Sequence, residues 1–280
     1  MKDDGWETVL KEPPKKALDR FLDEGLIRPS GLHGKLDHEF KLPALKTLLK
    51  DRTLKVSGKK EDLIERLIEL DAPGMEKLVK GQLVFECTER GLERSKSYLD
   101  EEKKKKTAVE MQVFQALQNH EFDKACQIAN SYHKQEVFSS EIGCDSTFIK
   151  SIFVVKPKIL KKFNDHQLNA LRIVAGMMQL LYCRKASDWL PSGFNLDSHL
   201  KAESAARMLI FHCYYLKNLN GLKGSGFKKA KIFVVEDSCE HCKKLKDKTY
   251  AINKVPELPF EECTCEMGCR CLLSADSNSG

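Results

Sequence analysis

Near the front of the chain, apolar residues recur every third or fourth position in two neighbouring stretches. Leu45, Leu48 and Leu49 are followed, beyond a basic link, by Leu63, Ile64, Leu67 and Ile68; this period predicts two short amphipathic helices, each with one oily face. In the link from Arg52 to Lys60, Leu54 and Val56 stand where they can close a small core. Ser57 stands where it can cap the second helix, whose first turn carries Glu61 and Asp62. Upstream, Ala17, Leu18, Phe21 and Leu22 mark a helix over 15–24 that Gly25 stops, with Leu26 and Ile27 extending its face. Downstream, Ala72-Pro73-Gly74 breaks the pattern, one or two helical turns follow over 75–80, and Leu83 to Cys87 reads as a strand leading into a helix.

The middle of the chain keeps the helical period. Glu101 to Lys106 (EEKKKK) reads as the solvated end of a helix or a hinge. Two helices joined at Asn119-His120-Glu121 follow, and Cys126 on their apolar face reads as a buried free thiol. Residues 138–158 are irregular in pattern, with a β-branched patch from Ile149 to Val155. A helix capped by Asn164 or Asp165 and running to about Arg184 is apolar on most sides and so should be central. Another, capped by Asp197 or Ser198, runs to about Leu219, and the methionines of this pair read as core filling. A glycine-rich connector over 221–229 then leads to a strand over 231–235.

Composition narrows the function. At 280 residues the chain is long enough for one large domain or two to three small ones, and 41% hydrophobic side chains are enough to bury real cores. The net charge of +6 is modest, because 41 acidic residues dilute 47 basic ones, so any basic surface must be local. Met1 to Lys11 lacks the apolar run of a signal peptide and no apolar stretch reaches membrane-spanning length; a cytoplasmic protein is expected. In that compartment thiols stay reduced, so the 11 cysteines, six of them in the last fifth, point to metal ligation before disulfides.

A glycine at the start of a helix lets an anion approach its unpaired N–H groups, and Lys59 and Lys60 beside Gly58 add charge suited to phosphate. The Leu-x-x-Leu-Leu first helix, the Ser57-Gly58-Lys59-Lys60 turn and the Asp62-Leu63-Ile64-Glu65-Arg66-Leu67 second helix resemble the SAP motif, a DNA-binding helix-turn-helix unit. The resemblance implies double-stranded DNA held mainly through its backbone, with Lys55, Ser57, Gly58, Lys59 and Lys60 as the contact residues. The family usually carries glycine where this chain has Thr53.

In the tail, Cys239-x-x-Cys242 is followed 20 residues later by Cys263-x-Cys265-x-x-x-Cys269-x-Cys271. Zinc takes four soft ligands, and a strand-ending Cys-x-x-Cys turn supplies two. Residues two apart on an extended segment face the same way, so either closing pair can complete the site, and two ions sharing the six thiols would use them all. All-thiolate ligands close together in sequence suit a structural metal, in a zinc ribbon or treble-clef-like module. The tail also resembles the C-terminal segment of tailed-phage minor head (head-morphogenesis) proteins through Asp237-Ser238-Cys239-Glu240-His241-Cys242, Lys248-Thr249-Tyr250, Pro256-Glu257-Leu258-Pro259 and Cys269-Arg270-Cys271. Those proteins usually have a histidine where this chain has Glu266, and residues 107–230 do not resemble them.

The expected architecture is mainly α and multi-domain: a lead-in helix over 1–35, a SAP unit over 36–72, a strand-helix segment and charged hinge over 73–106, a helical domain over 107–230, a cysteine-rich zinc module with short strands over 231–273, and a disordered tail over 274–280. The expected function is non-enzymatic binding of duplex DNA with a structural zinc site, in a bacterial or prophage setting, with no membrane partner and with protein contacts falling to the helical middle. Two other readings stand beside it: a phage structural or head-assembly protein, and a DNA-processing nuclease whose active site lies within residues 107–230.

Overall fold

In the computed structural model, which describes residues 5–134, 145–183, 185–246 and 248–276, the chain forms two units, Met1–Lys104 and Lys105–Gly280. The first unit opens with α1 (Trp6–Leu10) and α2 (Pro14–Asp23). Strand β1 (Ile27–Pro29) follows, so Ile27 belongs to a strand rather than extending the helix face. The reason is Gly25: at φ +66 it turns the chain out of the helix, and Ile27 then pairs antiparallel with Cys87.

Helices α3 (Leu32–Glu39), α4 (Leu42–Lys50) and α5 (Lys60–Leu78) wrap one core. Leu36, Leu45, Leu49, Leu63, Ile64 and Leu67 are fully buried in it, with Leu54 and Val56 packed against its edge. Helix α3 is not legible from the pattern, since Leu32 and Leu36 alone mark its face and Gly34 interrupts it. Helix α5 breaks where Ala72-Pro73-Gly74 predicts: Asp71 leaves helical geometry at φ −145, ψ 53, and Met75 restarts the apolar face. Arg52 donates two hydrogen bonds to Asp71 Oδ2, at 3.1 and 2.7 Å, tying the α4–α5 link to this kink. Those bonds, then the Gly74 N–H, hold the Asp71 carboxyl below its usual range. Strand β2 (Phe85–Cys87) pairs with β1, and helix α6 (Glu89–Gln118) carries the Glu101–Lys106 run as continuous helix across the boundary between the units.

The second unit continues from the end of α6 through α7 (Phe122–His133), α8 (Ser146–Val154), α9 (Asp165–Leu181) and α10 (Ala202–Gly224). Helix α9 is the central one, with Leu168, Leu171, Val174, Ala175 and Met177 buried. Asn164 caps it: its side chain accepts the Gln167 N–H at 2.8 Å while the Gln167 side chain accepts the Asn164 N–H at 3.1 Å. The methionines fill the core as expected, Met177 and Met208 being fully buried.

Several elements depart from the sequence reading. Residues 146–154 form α8 instead of an irregular β-branched patch, because the Asp145 side chain caps the Thr147 N–H and Ile149 and Ile152 pack inward. Residues 138–144, and the Arg184 end expected for α9, lie outside the described residues. Helix α10 starts at Ala202, after the Asp197 and Ser198 positions, and runs on to Gly224. Cys126 is buried on its apolar face, but it is disulfide-bonded rather than a free thiol.

A small antiparallel sheet completes the unit, in the order β4 (Thr249–Ala251), β3 (Lys229–Phe233), β5 (Leu272–Ala275), with the short α11 (Glu240–Lys243) between β3 and β4. Strand β5 takes Ser274 and Ala275 out of the expected tail and pairs Ala275 with Ala230, and Asp276 beyond it is buried. Among the described residues no helix is long and apolar enough to cross a membrane.

Candidate nucleic-acid interface and metal centre

The link from Asp51 to Lys59 presents a turn whose shape is set by two residues in the left-handed region, Thr53 at φ +55 and Gly58 at φ +129. A β-branched residue is strained there. Thr53→Gly is therefore expected to stabilise the first unit, net of glycine's greater chain entropy, by about 0.5–1 kcal/mol; an unchanged or lower midpoint in urea would contradict this.

Gly58 has a packing reason to be glycine. A Cβ there would lie 2.7 Å from Asp62 Oδ2 and 3.0 Å from Arg66 Nη2. Helix α5 begins at Lys60, so Ser57 sits too far upstream to cap it, contrary to the sequence reading. Asp62 does that work instead, its Oδ2 accepting the Lys59 N–H at 2.8 Å. Arg66, part of the second-helix motif but given no role there, donates to the Lys55 carbonyl at 2.7 Å and braces the turn.

The five predicted contact residues do come together at this turn but not in the same state. Lys55, Ser57, Gly58 and Lys59 are exposed, and neither Lys55 nor Lys59 has a carboxylate partner among the described residues. Lys60 is half-buried, with its ammonium 2.9 Å from Asp37 Oδ1 and hydrogen-bonded to the Asp37 carbonyl. Its charge therefore fastens α3 to α5.

The second site is built from three short segments. Cys239 ends the loop after β3, Cys242 sits in α11, and Cys263, Cys265, Cys269 and Cys271 lie on the irregular segment that leads into β5. They form two groups able to hold a metal ion, Cys239 with Cys263 and Cys265, and Cys242 with Cys269 and Cys271, the sulfurs in each lying within 4.8 Å of one another. Cys239 Sγ is 3.9 Å from Cys263 Sγ, and Cys242 Sγ is 4.0 Å from Cys269 Sγ. Sulfurs about 2.3 Å from a tetrahedral zinc stand about 3.8 Å apart, whereas a disulfide needs about 2.05 Å. The spacing fits metal ligands and not bridges, and all six are free thiols.

The surroundings favour thiolate at Cys239 and Cys269 and oppose it at Cys242, Cys263 and Cys271. Burial opposes ionisation of Cys239, but the N–H groups of Cys242 and Thr264 outweigh it and bring the thiol down to about 6. Hydrogen bonds from the Cys242, Cys263 and Cys271 thiols hold Cys269 well below its usual range, while contacts with Cys242 and Cys269 push Cys263 up. The Cys239 N–H donates to Cys265 Sγ at 3.2 Å. Arg270, between the last two cysteines, is held by Asp237 at 2.9 Å. His241 is half-buried beside Glu262 at 3.4 Å and is no part of either group.

Helix α10 is the platform for this tail, a role that its periodicity does not announce. Ser204 Oγ donates to the Glu266 carbonyl at 3.0 Å, the Cys269 N–H points at Met208 Sδ at 3.2 Å, and His212 Nδ1 meets the Leu258 carbonyl at 2.7 Å. These residues lie four apart on one helical face. Asn218 continues the face, donating to the Leu273 carbonyl of β5 at 2.8 Å. The available signal is Ser204 and His212, two polar residues on an otherwise apolar stripe, which demand partners when buried. Gly268 adopts φ +81 directly over Met208, where a Cβ would come within 2.4 Å of Met208 Cε, so the Cys265–Cys269 turn lies tight against the helix.

No curated protein and no solved structure matches the chain. Residues 38–72 match the SAP domain family, so the three-helix core and its lysine-bearing turn include a SAP domain.

Proposed function

We propose that this protein binds duplex DNA through the sugar-phosphate backbone, without catalysing a reaction on it, and that its cysteine tail is a structural zinc module. The observation that carries the first half is the SAP domain match over residues 38–72 together with the exposed Lys55 and Lys59 at its turn. Ser57 and Gly58 lie between those two lysines in the chain and offer a hydroxyl and exposed backbone to phosphate oxygens. Lys60 serves the fold. Backbone contacts neutralise phosphates and release counterions, so affinity should fall steeply as salt rises.

The second half rests on the donor set. Zinc bound by thiolates alone has its positions filled and acts as a cross-link, giving the loops around β5 a fixed point that their sparse regular structure does not supply.

Replacing Lys55 and Lys59 together with alanine should reduce the slope of log affinity against log salt by about 1.8, at roughly 0.9 for each phosphate that is no longer neutralised. Circular dichroism should be unchanged, since neither side chain enters the core. Binding too weak to detect at low salt, or an unaltered slope in the double variant, would refute the DNA reading. Elemental analysis of the purified chain tests the metal independently.

A further inference from the structure

We infer that the six C-terminal cysteines hold two zinc ions in a single cluster, with the Cys242 and Cys263 thiolates bridging the ions. The inference rests on the zinc reading above and goes further than it, fixing the number of ions and the role of each sulfur. Two separate tetrahedral tetrathiolate ions need eight ligands, and six suffice only when two sulfurs are shared.

The positions of the sulfurs select which two. Cys263 groups with Cys239 and Cys265, yet it also contacts Cys242 and Cys269 of the other group. Cys242 groups with Cys269 and Cys271, yet it also contacts Cys263 and, across the divide, Cys239. These two are the central pair, and each is only 1% exposed, whereas Cys239 and Cys265 at the outer end are half-buried. Cys239 and Cys265 are then the terminal ligands of one ion, and Cys269 and Cys271 those of the other. Each Cys-x-Cys pair contributes to the ion its spacing allows. Cys269 and Cys271 serve one ion together, while Cys263 and Cys265 share the other and Cys263 alone reaches across to its neighbour.

A single ion held by Cys242, Cys263, Cys269 and Cys271 would leave Cys239 and Cys265 without employment. Both are held as ligand sulfurs are held: the Thr264 N–H points at Cys239 Sγ at 3.4 Å and the Cys239 N–H at Cys265 Sγ at 3.2 Å. Six thiolates around two divalent ions leave an excess of negative charge. The Arg270 guanidinium, near enough to Cys263 and Cys265 for their charges to be felt, offsets it.

The test uses the full-length chain, purified reduced with zinc, measured by elemental analysis and native mass spectrometry, and then exchanged with cadmium-113 for NMR. The expected result is two zinc ions per chain and two cadmium resonances that split each other through the bridging sulfurs. The double variant Cys239→Ser, Cys265→Ser should retain one ion in place of two. One zinc in both the wild type and the variant would overturn the cluster while leaving the zinc reading intact. Two ions with unsplit cadmium resonances would mean separate sites and overturn the bridging. No zinc at all would overturn the zinc reading itself.

Discussion

If the cysteine tail holds zinc as proposed, stripping the metal with a strong chelator under reducing conditions is expected to melt the β3–β4–β5 sheet and the loops around it while the SAP domain stays folded. The 20 residues between β4 and β5 contain one short 3-10 turn and no longer regular element, and much of what they bury is cysteine: Cys263, Cys269 and Cys271 are all inside. Structural zinc in small modules carries an apparent binding free energy of about 10–16 kcal/mol, as large as the whole stability of a typical domain, about 5–15 kcal/mol. Ligand thiols must lose their protons, so acid should release the metal in the same way that chelation does. Amide exchange reads the result directly. Protection should vanish over Lys229–Phe233 and Leu272–Ala275 and persist over the buried face of α5. Unchanged protection in the sheet after complete chelation would show that the metal does not hold this module together.

Leu63→Ala should abolish the proposed DNA binding by unfolding the domain that presents the turn. The core of the first unit has eight buried apolar side chains, and Leu63 is completely enclosed among them. Truncating such a leucine costs about 2–5 kcal/mol, and a core of this size rarely supplies more than about 3–5 kcal/mol in total. The variant therefore differs in kind from the Lys55, Lys59 double variant. It should lose helical signal and binding together, and a ligand that binds only the native form should partly rescue it at high DNA concentration. Full helicity with lost binding in Leu63→Ala would place Leu63 in the interface instead of the core.

Sequence pattern alone locates α4 and α5, finds the break at Ala72-Pro73-Gly74 and narrows the cap of α9 to Asn164 or Asp165, because each is a local matter of period, proline or a side chain reaching its own backbone. It also marks the six cysteines by spacing. Elements that depend on a distant partner are less legible. Ile27 reads as helix-extending until Cys87 pairs with it, and residues 146–154 read as irregular until Asp145 caps them and α9 takes their apolar side.

The turn shows the same division at the scale of single residues. Gly58 and the lysines are visible as a phosphate-compatible motif, and Asp62 taking the Lys59 N–H is local, but Arg66 bracing the Lys55 carbonyl and Asp37 claiming Lys60 join positions 11 and 23 residues apart. A string of residues does not state them.

What this sequence determined by itself is which segments are amphipathic, where basic charge gathers and that the tail is rich in paired thiols, since these follow from residue identity and short-range geometry. Tertiary structure alone decided which lysines remain exposed, that Ser204, Met208 and His212 form the tail's platform, and that the six tail cysteines gather into two groups of three. Those outcomes depend on packing between segments tens of residues apart, where burial, charge pairing and sulfur–sulfur distance arise only once the chain has folded.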